Sequence, residues 1–257
     1  MIDPTIRQVP LTRRIRERYL AVQHQLGYYA PPFVKNAKDE ISKMIGINNV
    51  KFLLDRSDEL TRMAVLERHA GNFDKADAII SSPYFGVSDC LVSPLLYQDI
   101  HTAVSIFMKL NHLKGKRVLQ VAPNWGPYMY FLQQELGAIA FGIDKNQIAV
   151  RYAKEKGGMN FIVGDAGNLP FNGESFDLIF AKGFLNDSYL NLFFMDPSSF
   201  MDKVVQEIHR TLKPGGLFFF QVDYSAEFAL LPTLKRFRSM RQMEAPSHFG
   251  QVNILQK

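Results

Sequence analysis

Two hydrophobic rhythms divide the chain. Up to about residue 113, apolar positions recur three and four apart, the spacing of one buried helix face. Leu11–Leu26 is a charged amphipathic stretch closed by Gly27. Tyr28-Tyr29-Ala30-Pro31-Pro32-Phe33 reads as a turn, since paired prolines cannot continue a helix. Asp39–Ile45 and Val50–His69 follow as helices, the second turning Leu53, Leu54, Leu60, Met63, Val65 and Leu66 toward a core. Phe73–Ile80 is a short helix before the Ser81-Ser82-Pro83 break. Ser93-Pro94 then offers a helix cap with proline at the first position, and apolar residues recur at helical spacing up to Asn111.

From Lys116 the rhythm changes to short β-forming runs alternating with helical stretches. That is the pattern of a parallel sheet with helices on both faces. The runs predict strands at Val118–Ala122, Ile139–Ile143, Asn160–Val163, Phe176–Ala181 and Leu217–Val222. Helices are predicted at Tyr128–Leu136, Gln147–Lys156 and Ser198–Leu212, stopped by Gly137, Gly157-Gly158 and Pro214-Gly215-Gly216. After Asp223, Glu227–Met243 reads as a helix, which leaves room for one more strand, Gln251–Leu255. The expectation is an α/β fold with a Rossmann-like, doubly wound sheet of six strands, shortened at its C-terminal end. A helical N-terminal region, residues 1–113, would sit on the lid or substrate side of the Rossmann-like domain, residues 114–257.

Composition adds limits. The 257 residues are 47% hydrophobic and 21% charged, ordinary for a globular chain with a real core. The net charge of +5 sits in patches, Arg13 to Arg18 and Lys235 to Arg241, which read as solvated helix faces; no nucleic-acid partner is expected. One cysteine, Cys90, excludes an intramolecular disulfide and any multi-cysteine metal site. Met1–Leu20 carries charges where a signal peptide needs an apolar core, and no apolar run reaches membrane-spanning length. A cytoplasmic protein without a transmembrane segment is expected, and assembly into a homo-oligomer stays open.

The chemistry belongs at the strand ends, because ligands of open α/β sheets bind outside the carboxyl edge where the strand order reverses. The first strand opens onto a sharp turn in KRVLQVAPNWGPY, residues 116–128, followed by a helix. Strand, turn and helix in that order can hold a nucleotide-like cofactor. Asp144 ends the second strand and can accept ribose hydroxyls or cap the helix that follows. Asp165 ends the third, where it can accept from an adenine amino group, with the Ala166 N–H beside a ring nitrogen, or simply brace the turn before Gly167. Trp125 can wall a cofactor or pack on the sheet. No paired catalytic carboxylates, metal-ligand cluster or nucleophile triad stands out, so no metal is expected. As general bases, Tyr189, His248, Tyr28 and Tyr29 are thin candidates, and the catalytic residue stays unknown. The apolar segment Phe184–Met195 can line a substrate pocket or pack against the N-terminal helices or a partner. Tyr97 and the Tyr84-Phe85 pair are candidate cofactor neighbours.

Gly164-Asp165-Ala166-Gly167-Asn168-Leu169-Pro170-Phe171, Ser175-Phe176-Asp177-Leu178-Ile179 and Leu212-Lys213-Pro214-Gly215-Gly216 occur in that order. Together they resemble the class I S-adenosylmethionine-dependent methyltransferases, in the small-molecule branch that includes the ubiquinone- and menaquinone-biosynthesis enzymes. The resemblance covers roughly Lys116–Val222. It implies S-adenosylmethionine as cofactor and a small-molecule substrate. Asp144, with Lys145 beside it, would face the ribose; Asp165 and Ala166 would face the adenine. Lys182 and Gly183 would lie beside the methionine part, and the aligned place of His209 is structural. The first turn departs from the family, which has an acid and then three alternating glycines where this chain has Gln120, Ala122, Asn124 and Gly126. Gln120 can accept a hydrogen bond but brings no charge, Ala122 adds a methyl group, and Asn124 tolerates positive φ well. Two other readings stay open. One is an aminocarboxypropyl transferase, loosely similar to nicotianamine synthase in its helical N-terminal region and Gly126-Pro127 turn. The other is a non-catalytic methyltransferase-like binding or scaffold module.

Overall fold

A computed structural model describes residues 36–46, 50–80, 82, 113–182, 197–222, 233–244 and 251–257. Three helices come first: α1 (Ala37–Ile45), α2 (Val50–His69) and α3 (Phe73–Ile80). The alternating part runs β1 (Arg117–Val121), α4 (Pro127–Leu136), β2 (Ile139–Asp144), α5 (Gln147–Gly157), β3 (Asn160–Val163) and β4 (Phe176–Lys182). It continues as α6 (Pro197–Thr211), β5 (Leu212–Val222), a 3-10 turn (Thr233–Arg236), β6 (Ser239–Glu244) and β7 (Gln251–Gln256).

The strands form one sheet in the order β3-β2-β1-β4-β5-β7-β6. Strands β1 to β5 pair in parallel, while β7 is antiparallel to both β5 and β6. Between β1 and β4 the winding reverses, which opens a crevice at the carboxyl edge.

Alternation along the strands sorts side chains into two layers. Val118, Ala140, Leu178, Phe180, Phe219 and Ile254 face one layer, with Met129, Phe131 and Leu132 of α4 and Val150, Tyr152 and Ala153 of α5. Leu119, Val121, Ile143, Ile179, Phe218, Phe220 and Leu255 face the other, with Met201, Val204, Val205 and Ile208 of α6. Both faces are covered, which is why the strands read as nearly continuous apolar runs.

Helix α1 joins the first layer through Ala37 and Ile41. Polar ties hold it to α5: Lys156 pairs with Glu40 at 3.1 Å, and Arg151 Nη2 donates to the Met44 carbonyl at 3.0 Å. Burial pushes the Tyr152 phenol upward, with Glu40 and Tyr130 adding to it. The expected helices Leu11–Leu26 and Ser93–Asn111 lie outside the described residues.

The sheet has seven strands where the sequence reading expects six. The added one is β6, which takes the end of the stretch read as the helix Glu227–Met243; residues 233–244 hold a 3-10 turn and this strand. Ser239–Glu244 pairs along the whole of Gln251–Gln256. That pairing satisfies the outer backbone groups of β7, a tertiary gain that overrides the local helical pattern. Leu234 and Phe237 just before it are buried under α6. Strand β5 also begins earlier than expected. Phe176 pairs with Leu212 and Leu178 with Leu217, so the Lys-Pro-Gly-Gly turn bulges out of one continuous strand. The end of the chain fastens that bulge: Gly215 N donates to Lys257 O, and Lys257 N to Gly216 O, both at 3.0 Å.

Candidate functional site

The turn after β1 is built on a strained backbone. Ala122, Asn124 and Gly126 have φ of 52°, 54° and 78°, so every second residue is left-handed. For a residue with a side chain that conformation costs about 1–2 kcal/mol, less for Asn than for Ala. Neighbouring groups hold it. Ala122 N donates to Ile143 O at 3.0 Å, Gly126 N to Pro123 O at 2.9 Å, and Asn124 N to Asp144 Oδ2 at 2.7 Å. Trp125 is 4% exposed, with its ring edge-on to Tyr152 at 6.0 Å. Of its two sequence readings, packing is the one the structure displays. Gly126 has a steric reason as well: an added Cβ would clash with the ring of Phe161.

Gln120 lies one step before the turn, in register between Gly142 of β2 and Phe180 of β4. It is 2% exposed, and its side-chain oxygen has no hydrogen-bond partner among the described residues. A buried acceptor without a donor is unfavourable by about 1–3 kcal/mol, so this atom suits a ligand that brings an N–H.

Asp144 closes β2 with both oxygens engaged, Oδ2 by Asn124 N and Oδ1 by Asn146 N at 2.8 Å. It does not cap α5. Asn146 does so, its Oδ1 accepting from Ile148 N and Ala149 N at 3.1 and 3.0 Å. The Asp144 carboxylate therefore ties β2 to the first turn.

Asp165 follows β3. Its Oδ1 accepts from Gly167 N at 2.7 Å, which makes it a turn-bracing residue, while Oδ2 pairs with Lys145 Nζ at 3.2 Å. Both side chains are about half exposed, and the pair spans the ends of β2 and β3. Ala166 is buried beside them. Lys182 ends β4 opposite Gln221. Gly183, Tyr189, His248, Tyr28, Tyr29, Tyr97, Tyr84, Phe85 and the segment Phe184–Met195 lie outside the described residues. His209 packs edge-on to Phe237 at 5.4 Å. Burial lowers its pKa first, and Lys257 and Arg236 lower it further.

The sequence reading missed Glu207 and Arg210 of α6, which hold the loop after β3. An acid and a base three apart in the last turn of a helix are the signal that could have found them. At the opposite, amino edge of the sheet, Asp177 accepts from Arg117 N and Lys213 Nζ, each at 2.9 Å. Burial raises the Asp177 pKa, but Lys213, the Arg117 N–H and Lys116 outweigh it and leave the carboxyl below its usual range.

The carboxyl edge thus gathers a buried neutral acceptor and two carboxylates around a left-handed turn. Those acceptors could hold a ligand with an amino group, a ribose diol and an adenine. Residues 119–220 match the family model described as a methyltransferase domain. The chain is 33% identical over 110 residues to a phthiotriol/phenolphthiotriol dimycocerosates methyltransferase of Mycobacterium tuberculosis, a match covering 41% of this chain and 37% of that protein. It is 33% identical over 90 residues to the mitochondrial 2-methoxy-6-polyprenyl-1,4-benzoquinol methylase of Mus musculus, covering 32% of this chain and 24% of that one. The chain therefore spans well under half the length of the curated relatives it matches. A TehB-like SAM-dependent methyltransferase from Corynebacterium glutamicum shares the fold at a TM-score of 0.50 and 17% identity, over 61% of this chain and 87% of that one. The fold is that of a Rossmann-like methyltransferase. Residues 119–220 are thus similar to a methyltransferase domain, both in sequence and in fold.

Proposed function

We propose that the chain binds S-adenosylmethionine at the carboxyl edge of β1, β2 and β3 and transfers its methyl group to a small molecule. The observation that carries this reading is the first turn. All three positions that hold glycine in the family keep a left-handed backbone here, although only Gly126 is glycine. Beside it, the buried Gln120 oxygen has no donor among the described residues. Gln120 would accept from the methionine amino group, Asp144 from the ribose hydroxyls and Asp165 from the adenine amino group. Lys182 and Gly183 would border the methionine part. The bound cofactor supplies an already activated methyl group, so the chain has to align the acceptor and exclude water. A general base is needed only for an acceptor that is protonated at neutral pH. The curated relatives support a small-molecule acceptor, since their names specify dimycocerosates and a polyprenyl benzoquinol. Residues 1–113 would form the substrate side, and the protein would act in the cytoplasm. Among the described residues no helix is long and apolar enough to cross a membrane.

Calorimetric titration with S-adenosylmethionine tests the reading, and absence of binding at millimolar ligand would overturn it. Gln120→Glu restores a charge-assisted contact to the amino group and should tighten binding by about 1 kcal/mol, or roughly fivefold. Product analysis then separates the two transfer reactions. Methyl transfer leaves S-adenosylhomocysteine, and aminocarboxypropyl transfer leaves methylthioadenosine.

A further inference from the structure

The loop after β3 is fastened to α6 by one ion pair. Arg210 donates through Nε to Glu207 Oε1 and through Nη2 to Glu207 Oε2, both at 2.7 Å. The same guanidinium reaches across to the loop, where Nη2 donates to Leu169 O at 2.9 Å and Nη1 to Phe171 O at 2.8 Å. Glu207 Oε2 in turn accepts from Leu169 N at 2.8 Å. Leu169 is thus gripped on both its N–H and its carbonyl. Its side chain is buried in the layer under α6, and Phe171 packs edge-on to Phe176 at 4.9 Å. A turn closed by Asn168 N donating to Asp165 O at 3.1 Å connects the gripped residue to Asp165. The far end of the loop is tied down too, Glu174 N donating to Arg210 O and Ser175 N to Thr211 O.

We propose that Glu207 and Arg210 are positioning residues for adenine recognition, fixing the Asp165–Leu169 turn so that the Asp165 carboxylate meets the purine 6-amino group. This rests on the cofactor reading given above. Apolar burial of Leu169 and Phe171 holds the loop down without fixing the direction of a carboxylate four residues earlier. Directional bonds to the peptides do that, and the Arg210 guanidinium makes four bonds, two to carbonyls and two to the carboxylate, where an ammonium has only three donors. Lys145, on the other Asp165 oxygen, stands outside the grip and is half exposed. The clamp therefore acts from the protein side and leaves the mouth of the crevice open.

The test is a ratio. Dissociation constants are measured for S-adenosylhomocysteine and for its analogue with hydrogen in place of the purine 6-amino group. The native protein should prefer the amino form by about tenfold or more, the size of one hydrogen bond to a charged acceptor. Arg210→Leu should reduce that preference to about threefold or less while the deaminated analogue binds nearly as before. Arg210→Lys keeps the ion pair with Glu207 but not both carbonyl bonds, and should fall between them. It also serves if the leucine variant does not fold. A purely architectural clamp would lower the melting temperature and weaken both ligands equally, so an unchanged ratio in both variants overturns the proposal alone. If the native protein binds neither ligand, the cofactor reading falls and the clamp with it.

Discussion

The turn after β1 and the loop after β3 lie at the same edge of one sheet, yet they are held in different ways. The first is a short strained arc with left-handed backbone at Ala122 and Asn124, kept in place by burial of Trp125 and by the Asp144 carboxylate. The second is a longer loop, left-handed only at Glu174 near its far end, and fixed by a charged clamp from a helix. A left-handed backbone, which glycine adopts most readily, is held here at Ala122 and Asn124 by a core anchor and a carboxylate. The loop after β3 depends on Glu207 and Arg210 for its direction.

Changing the first turn should have the larger effects. Gly126→Ala combines a left-handed φ with a Cβ driven against the Phe161 ring, and should destabilise the fold by about 3 kcal/mol in denaturant titration. A loss under 1 kcal/mol would show that the arc can move away from β3. Asp144→Ala leaves the Asn124 and Asn146 N–H groups without their acceptor and should cost about 2 kcal/mol, even with no cofactor present. Equal stability of this variant and the native protein would remove the carboxylate from the comparison.

The clamp should show itself through pH. The Arg210 hydrogen bond and the Leu169 N–H hold the Glu207 carboxyl below its ordinary 4.5, against a smaller opposing effect of burial. Its stabilisation is therefore complete above pH 4.5 and is lost as pH falls through the depressed value. Glu207→Gln should be less stable by about 1 kcal/mol at pH 7, with the gap to the native protein closing on acidification. A gap independent of pH between 7 and 3 would mean that the carboxylate charge is not what holds the loop. The smallest expected effect has the opposite sign. Ala122→Gly removes left-handed strain but adds unfolded-state freedom, and should stabilise the protein by about 0.5 kcal/mol.

Most of the α/β part was legible because each element carries its own period and its own stop signals. Asn160–Val163, Val50–His69 and Phe73–Ile80 match the expected bounds, and the other strands of the parallel part, β5 apart, match within a residue. The region after Asp223 was not legible. Ser239–Glu244 becomes a strand through pairing with β7, a contact between distant residues that leaves no local period. In the site, the strand-end positions of Asp144 and Asp165 could be read from chain order. Their hydrogen bonds could not, because Asn124, Asn146, Gly167 and Lys145 come from different turns and strand ends. Glu207 and Arg210 were not legible because the residues they grip, Leu169 and Phe171, are distant in the sequence.

The sequence by itself determined the class of fold, the alternation of strands and helices, and the departure from the glycine pattern at Gln120, Ala122 and Asn124. Local periodicity and turn chemistry act between near neighbours, so they are written in the order of residues. Only the tertiary structure decided that Trp125 is an anchor, that β6 extends the sheet, and that Asp144 and Arg210 hold the turn and the loop at the candidate site. Those roles depend on groups tens of residues apart meeting at hydrogen-bond distance, and the order of residues alone does not fix that geometry.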